Sequence, residues 1–211
     1  VNIEHSPTWP SLSRTFFARD THSVARGLLG KILVRHWRGK VFAVRINDVE
    51  SYVGEEDTAC HASRGKTKRN EVMFGEAGHA YVYLIYGMYH CLNIVTEREG
   101  FPAAVLIRGA AATTFPPPQV RGRLGGGASR SDLTLPSPIL GEGKLNGPGK
   151  LCRALNITRV QNGEDLVTSE NLFIVDEGFR VRQEDIITTP RINVDYAGKD
   201  ALLPWRYLIR V

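Results

Sequence analysis

Apolar residues recur along this chain in short blocks, and each change of their period marks a new element. After Asp20-Thr21-His22-Ser23, which offers capping side chains, Val24, Ala25, Leu28 and Leu29 fall at helical spacing until Gly30. A short helix is predicted there. Residues 31–38 and 41–53 then turn to β-branched and alternating apolar positions on either side of Gly39, the pattern of a hairpin. Two further apolar runs, 79–86 and 89–95, flank Gly87-Met88, and a third, 101–108, follows the turn at Glu99-Gly100, which predicts a meander of antiparallel strands. Residues 148–156 read as a second helix, with Pro148 in its first turn and Lys150, Leu151, Ala154 and Leu155 set out helically. Strands are predicted again at 172–176, 181–188 and 205–211. Helices and antiparallel strands segregated in this way predict an α+β fold, a curved antiparallel sheet with short helices, and 211 residues fit one domain spanning 1–211.

One segment breaks the pattern. Residues 111–143 hold 11 Gly and Pro in 33, including Pro116-Pro117-Pro118 and Gly125-Gly126-Gly127, with no hydrophobic period. They are expected to form a mobile surface insert, whose Arg121, Arg123 and Arg130 could touch phosphate or simply face water.

Composition narrows the class. With 42% hydrophobic and 23% charged residues the chain is globular, and a net charge of +5 favours an anionic partner without proving one. The excess is placed unevenly: between Arg14 and Arg45 stand eight basic residues and one acid, Asp20. Cys60, Cys91 and Cys152 are odd in number and widely spaced, which signals neither a disulfide framework nor a zinc knuckle and suits a reducing compartment. No HExxH or other metal-ligand spacing occurs, and no apolar run approaches the roughly 20 residues of a membrane helix. The opening residues do not resemble a signal peptide, and because residue 1 is Val, whether the natural start lies upstream stays open.

Three places could carry chemistry. Strand alternation puts Asp48, Glu50 and Tyr52 on one face with Val44 and Ile46, so that a mainly apolar face ends in two carboxylates and a phenol. Such a carboxylate can serve as a general base with a raised pKa, or be no more than a strand-end acid that is solvated or paired with arginine. Next, residues 61–70 gather His61, Arg64, Lys66, Lys68 and Arg69 without an acid, which suits phosphate binding and equally a solvated loop. Third, the hairpin tip is apolar: Tyr86 and Met88 stand around Gly87, and Tyr81 and Tyr83 share a face behind them. Apolar wedges at hairpin tips prise base steps apart and flat aromatics can hold an extruded base, although strand tyrosines also serve as plain cross-strand packing.

Asp48-Val49-Glu50-Ser51-Tyr52, His61, Ser63-Arg64-Gly65, Arg69-Asn70, Met73-Phe74, the run from Tyr81 to Tyr89, Asn93-Ile94, Val105-Leu106-Ile107-Arg108 and Gly147-Pro148-Gly149-Lys150-Leu151-Cys152 resemble, in order and spacing from about Phe16 onward, the alkyladenine (3-methyladenine, methylpurine) DNA glycosylase family of the mammalian type. The resemblance implies a single mixed domain whose protruding hairpin enters the DNA minor groove. It also implies a monofunctional base-excision repair enzyme that flips an alkylated or deaminated purine out of the duplex and hydrolyses its N-glycosidic bond. Matched by motif, Glu50 is the base that activates water, and Arg108 places that water and the neighbouring phosphate. Tyr86 is the intercalating wedge. Tyr52, His61 and Tyr83 form the stacking slot, His61 and the backbone around Ala59 read the base edge, and Asn93 excludes guanine through its 2-amino group. Arg64, Lys66, Lys68, Arg69 and Lys150 are implied contacts to the DNA backbone.

No cofactor and no metal is implied. The implied partner is double-stranded DNA containing damaged purines, met by a monomer away from membranes, in the cytoplasm with the chromosome of a bacterium or in the nucleus of a eukaryote. The resemblance breaks between residues 110 and 146, so no DNA contact can be carried over from that stretch. Two rivals stay open: a DNA-binding module that flips or bends without cutting, and a glycosylase-lyase using Lys66 or Lys68. The motifs do not rank 3-methyladenine, 7-methylguanine, hypoxanthine and ethenoadenine as substrates.

Overall fold

The structure is a computed structural model and describes residues 11–113 and 144–210. Its short helices α1 (Arg14–Phe17) and α2 (Thr21–Leu28) lead into strands β1 (Ile32–Trp37) and β2 (Lys40–Val53). Strands β3 (Ala80–Ile85), β4 (Tyr89–Val95) and β5 (Ala103–Ala112) follow, then β6 (Lys144–Asn146), α3 (Pro148–Ala154), β7 (Leu172–Val175), β8 (Ile186–Thr189) and β9 (Arg206–Ile209). The predicted α+β fold is what forms. All nine strands join one antiparallel sheet in the order β3-β4-β5-β2-β1-β7, with β6 on β5 and the β8-β9 hairpin on β2. Strand β2 is long enough to be shared: β1 pairs with residues 40–45 and β9 with 48–50 along the same edge.

Local chemistry accounts for the elements. Asp20 caps α2, its side chain accepting the Ser23 amide at 2.8 Å, and Val24, Ala25 and Leu28 then face the core. Helix α3 opens on Pro148 and buries Leu151, Cys152 and Ala154 on the same side. On the sheet, Ala80, Val82, Leu92, Ile94, Val105, Ile107, Val49 and Tyr207 all turn toward these helices. The other face is therefore left for the polar and aromatic residues that alternate with them.

Four sequence expectations need correction. The face of β2 does not hold its phase: Val44 and Ile46 lie in the same core as Val49, not with Glu50. The register between β2 and β5 slips on both sides of Asp48, leaving Asn47 and Arg108 unpaired, and an extra residue in a strand sends every later side chain to the opposite face. Secondly, the strand expected at 181–188 is a 3-10 turn at Gln183–Asp185 followed by β8, because Asp185 is drawn back to Arg182 by a 2.8 Å hydrogen bond. Thirdly, β5 runs on past residue 108 to Ala112 and pairs with β6, so the segment expected to begin at residue 111 is sheet at its start. Fourthly, α3 stops at Ala154, short of the expected 156, because Asn156 takes a positive φ of 49°. The expectation of a mobile insert falls otherwise on residues outside those described.

A buried ion pair ties the far end of β2 to the C-terminal third of the chain. Arg191 donates to both oxygens of Asp57 at 2.6 and 2.8 Å, and neither side chain is exposed. The same guanidinium donates to the carbonyls of Ser51 and Asp200 and lies between the rings of Tyr52 and Trp205, 4.8 and 4.9 Å from their centroids. Asp57 in turn accepts the amides of Val53 and Ala59. Arg191→Ala leaves Asp57 buried and unpaired, and urea unfolding of the variant is expected to show a loss of about 3–5 kcal/mol. Arg191→Ala combined with Asp57→Ala recovers part of that loss, because the stranded charge is gone.

Candidate active site

The register of the sheet lines up one row of side chains. Tyr81 on β3 stands opposite Asn93 on β4, Asn93 opposite Leu106 on β5, Leu106 opposite Glu50 on β2, and Glu50 opposite Arg206 on β9. Directly paired residues share a face, so this row crosses the side of the sheet away from α2 and α3. Tyr83, Tyr52 and Asp48, two residues along their strands, stand on the same side. Over it opens a cavity of about 730 Å³, within the span usual for small-ligand sites.

Glu50 is fully buried at its floor. One carboxylate oxygen accepts the Tyr52 hydroxyl at 2.9 Å, the other accepts the Ile192 amide at 3.0 Å, and the Arg108 guanidinium is 3.7 Å away. Burial pushes the Glu50 carboxyl above its ordinary value, an effect only partly offset by Arg108 and the two donors. Arg108 owes its place to the bulge that leaves it unpaired on β5, from which it also comes within 3.6 Å of Asp48. Asp48 is held by Arg206 through two bonds of 2.9 and 2.8 Å, so the carboxylate next to Glu50 is already paired.

The aromatic part of the wall is uncharged. His61 sits on a 3-10 turn (His61–Arg64), its ring centroid 4.4 Å from that of Tyr83. Burial lowers its imidazole to about 4, so it is neutral at neutral pH, and burial likewise holds the Tyr52 and Tyr83 phenols well above their ordinary range. Asn70 pins this turn, its buried side chain donating to the carbonyls of His61 and Gly65 and accepting from Thr67. Asn93 is fixed by hydrogen bonds from its amide to the carbonyls of Tyr81 and Cys91, at 3.1 and 3.4 Å. Ala59 lines the cavity too, but its amide is committed to Asp57 and its carbonyl already accepts the Tyr196 hydroxyl at 3.2 Å.

At the mouth stands the β3-β4 hairpin. Its turn places Tyr86 and Gly87 at φ 52° and 68°, two successive positive values of the kind a tight hairpin turn needs. For a tyrosine that conformation costs roughly 1–2 kcal/mol, and it leaves the ring 72% exposed. Opposite, the start of α3 comes close: a Cβ on Gly149 would sit 2.8 Å from the Tyr89 ring, so only glycine lets the two meet.

Of the residues singled out in the sequence, Glu50, Tyr52, Ala59, His61, Tyr83, Tyr86, Asn93, Arg108 and Lys150 all line this one cavity. Arg64, Lys66, Lys68 and Arg69 do not line it, and remain exposed beside it. Arg69 reaches back to the Leu84 carbonyl and over the Tyr83 ring. The sequence reading missed Ile192, Tyr196 and Arg153, which also line the cavity, and Arg191 behind it. The first two and Arg191 belong to a loop between predicted strands, where a lone arginine after a proline gives no signal. Among the described residues no three His, Cys, Asp or Glu side chains gather as a metal site would require, and no helix is long and apolar enough to cross a membrane.

Residues 15–211 match the family Methylpurine-DNA glycosylase (MPG). The chain is also similar to proteins whose names, given provisionally, are 3-methyladenine DNA glycosylase. The one from Methanocella arvoryzae is 50% identical over 94% of this chain and 92% of its own length. Those from Sodalis glossinidius and Rickettsia bellii are 47% and 44% identical, over 93% and 94% of this chain and 95% and 92% of their own. A match of that extent, on a chain whose motifs converge on one cavity, makes it a member of the methylpurine-DNA glycosylase family.

Proposed function

We propose that this glycosylase flips alkylated or deaminated purines out of duplex DNA and hydrolyses their N-glycosidic bond with water activated by Glu50, leaving an abasic site. The observation that carries the reading is the buried carboxylate at the floor of a slot walled by neutral aromatic rings. A purine alkylated on a ring nitrogen is cationic, so its glycosidic bond breaks with little acid assistance, and its charge is attracted to the faces of Tyr52 and Tyr83. A neutral His61 adds no repulsion. As the bond breaks, positive charge develops on the sugar, where the Glu50 carboxylate both stabilises it and takes the proton of the attacking water. Arg108 favours the charged form of that carboxylate against the effect of its burial, and orients the water. With its amide tied to two strand carbonyls, Asn93 cannot swing aside, and its bulk disfavours a 2-amino group, which protects guanine but not 7-methylguanine, whose cationic ring already weakens the glycosidic bond.

Tyr86 is the wedge in this reading, and Arg64, Lys66, Lys68, Arg69 and Lys150 neutralise phosphates on either side of the flipped nucleotide. Against a lyase that uses Lys66 or Lys68 stands the position of both outside the cavity lining, with Lys66 drawn over the Phe74 ring. An amine that attacks the sugar carbon must reach the base of the slot.

Glu50→Gln is expected to slow single-turnover release of 7-methylguanine or hypoxanthine by at least about 10²-fold while lesion-duplex binding stays nearly unchanged. Retention of more than roughly a tenth of the rate removes Glu50 as the base. The wild-type rate on 7-methylguanine should rise with pH along one limb, because Glu50 acts only when ionised. Its raised pKa puts that limb above the ordinary glutamic acid range, and Glu50→Gln abolishes it. Tyr86→Ser should weaken binding to lesion duplex and slow excision by about tenfold or more, with a smaller loss on an unpaired target. Equal losses on the two substrates point to another wedge.

A further inference from the structure

One polar contact in the slot has no part in the chemistry above. The Tyr81 side chain is 1% exposed, and its hydroxyl lies 2.8 Å from Nδ1 of His61. This is the one hydrogen bond either side chain makes through these atoms among the described residues, and the other ring nitrogen, Nε2, has no protein partner while His61 lines the cavity. Both groups are uncharged, since burial raises the phenol far above its ordinary value and lowers the imidazole to about 4. Arg69, the cation acting on both, reinforces the neutral imidazole.

A neutral imidazole carries one N–H, and a phenol can donate or accept. The pair therefore has two arrangements of equal charge. When Tyr81 donates to Nδ1, His61 holds its proton on Nε2 and offers the slot a donor. When Nδ1–H donates to the Tyr81 oxygen, Nε2 offers a lone pair instead. Rotation of one hydroxyl and a change of tautomer, with no net ionisation, separate the two. Purine lesions present both kinds of edge: 3-methyladenine has an amino donor at the six-position, hypoxanthine and 7-methylguanine an oxo acceptor.

We propose that Tyr81 is a positioning residue that lets His61 take either tautomer, so that one slot accepts purines with an amino or an oxo group at the six-position. This rests on the slot reading given above. A fixed donor would reject amino purines by leaving two donors face to face, and a fixed acceptor would reject oxo purines in the same way.

Tyr81→Phe keeps the ring and removes the switch. Without the hydroxyl, a proton on Nδ1 would be a buried donor with no acceptor, so the ring settles with its proton on Nε2. The expected result is a loss of about tenfold or more in single-turnover release of 3-methyladenine from methylated duplex, with hypoxanthine release changed by less than about threefold. ¹⁵N NMR of the histidine-labelled full chain, with the His61 resonances assigned by their disappearance in His61→Gln, reads the tautomer without reference to activity. The wild type should show ring shifts averaged between the two forms, and Tyr81→Phe the shifts of the Nε2–H form alone. Equal change on both lesions, or a wild-type ring already fixed in one tautomer, overturns the proposal while leaving the excision reading intact. If the wild-type protein releases neither base, the excision reading fails, and the role given to Tyr81 fails with it.

Discussion

The buried ion pair of Asp57 and Arg191 is the contact from which the rest of the active side hangs. It ties two pieces of chain outside the sheet, the loop before His61 and the 3-10 helix (Asp195–Leu202), to the place where the end of β2 meets the approach to β9. A buried pair of this kind contributes little net stability, because desolvating both ions costs about as much as their attraction returns. Its value lies in direction. Four hydrogen bonds from the two terminal nitrogens of a rigid planar guanidinium, two of them to Asp57 and one each to the Ser51 and Asp200 carbonyls, fix its orientation, and that orientation points the Ile192 amide, one residue on, at Glu50. The guanidinium also backs the Tyr52 ring, whose hydroxyl meets the other Glu50 oxygen. Both hydrogen bonds to the carboxylate are thus consequences of one distant pairing.

The electrostatics of the cavity follow from the same economy of charge. Every ionisable group near Glu50 is either neutralised by a partner, as Asp48 is by Arg206 and Asp57 by Arg191, or kept uncharged by burial, as His61, Tyr52 and Tyr83 are. At the floor of the cavity stand one carboxylate and one guanidinium, Glu50 and Arg108, 3.7 Å apart, while Lys150 and Arg153 line it from α3. Where Glu50 is fully buried the first two dominate the local field, and the aromatic walls add their quadrupoles.

Much of this was legible in the sequence, and what was not has physical causes. The strands of the meander, the Asp20 cap and the Pro148 start of α3 each follow from a local period or a capping side chain, and each forms where expected. The tyrosine run and the carboxylate strand pointed to one site because their residue types are unusual for plain strands. Ile192 acts through its backbone amide, which has no side-chain signature at all. Arg191 and Tyr196 depend on partners more than 130 positions away, and nothing in their own neighbourhood distinguishes them from loop residues. The four-residue α1 and the three-residue β6 are too short for any period to emerge.

The bulge at Asn47 shows how the core and the site share a single strand. Read as unbroken alternation, β2 would turn Glu50 into the same core as Val44 and Ile46, where its ionised form would find no donor and no arginine. Slipping the register once reverses the phase, so that Val49 continues the core and Asp48, Glu50 and Tyr52 emerge on the cavity side. The matching irregularity on β5 does the same for its strand: Val105 and Ile107 before it and Ala110 after it all face the core, while Arg108 is released toward the carboxylates. Gly109 sits where these irregularities meet, and a Cβ there would crowd Asn47 and Asp48 to within 3.0 and 3.1 Å. The glycine is therefore part of the same device, since it lets two strands out of phase remain hydrogen-bonded. A sheet with perfect pairing would be more regular and could not place a buried carboxylate beside its arginine.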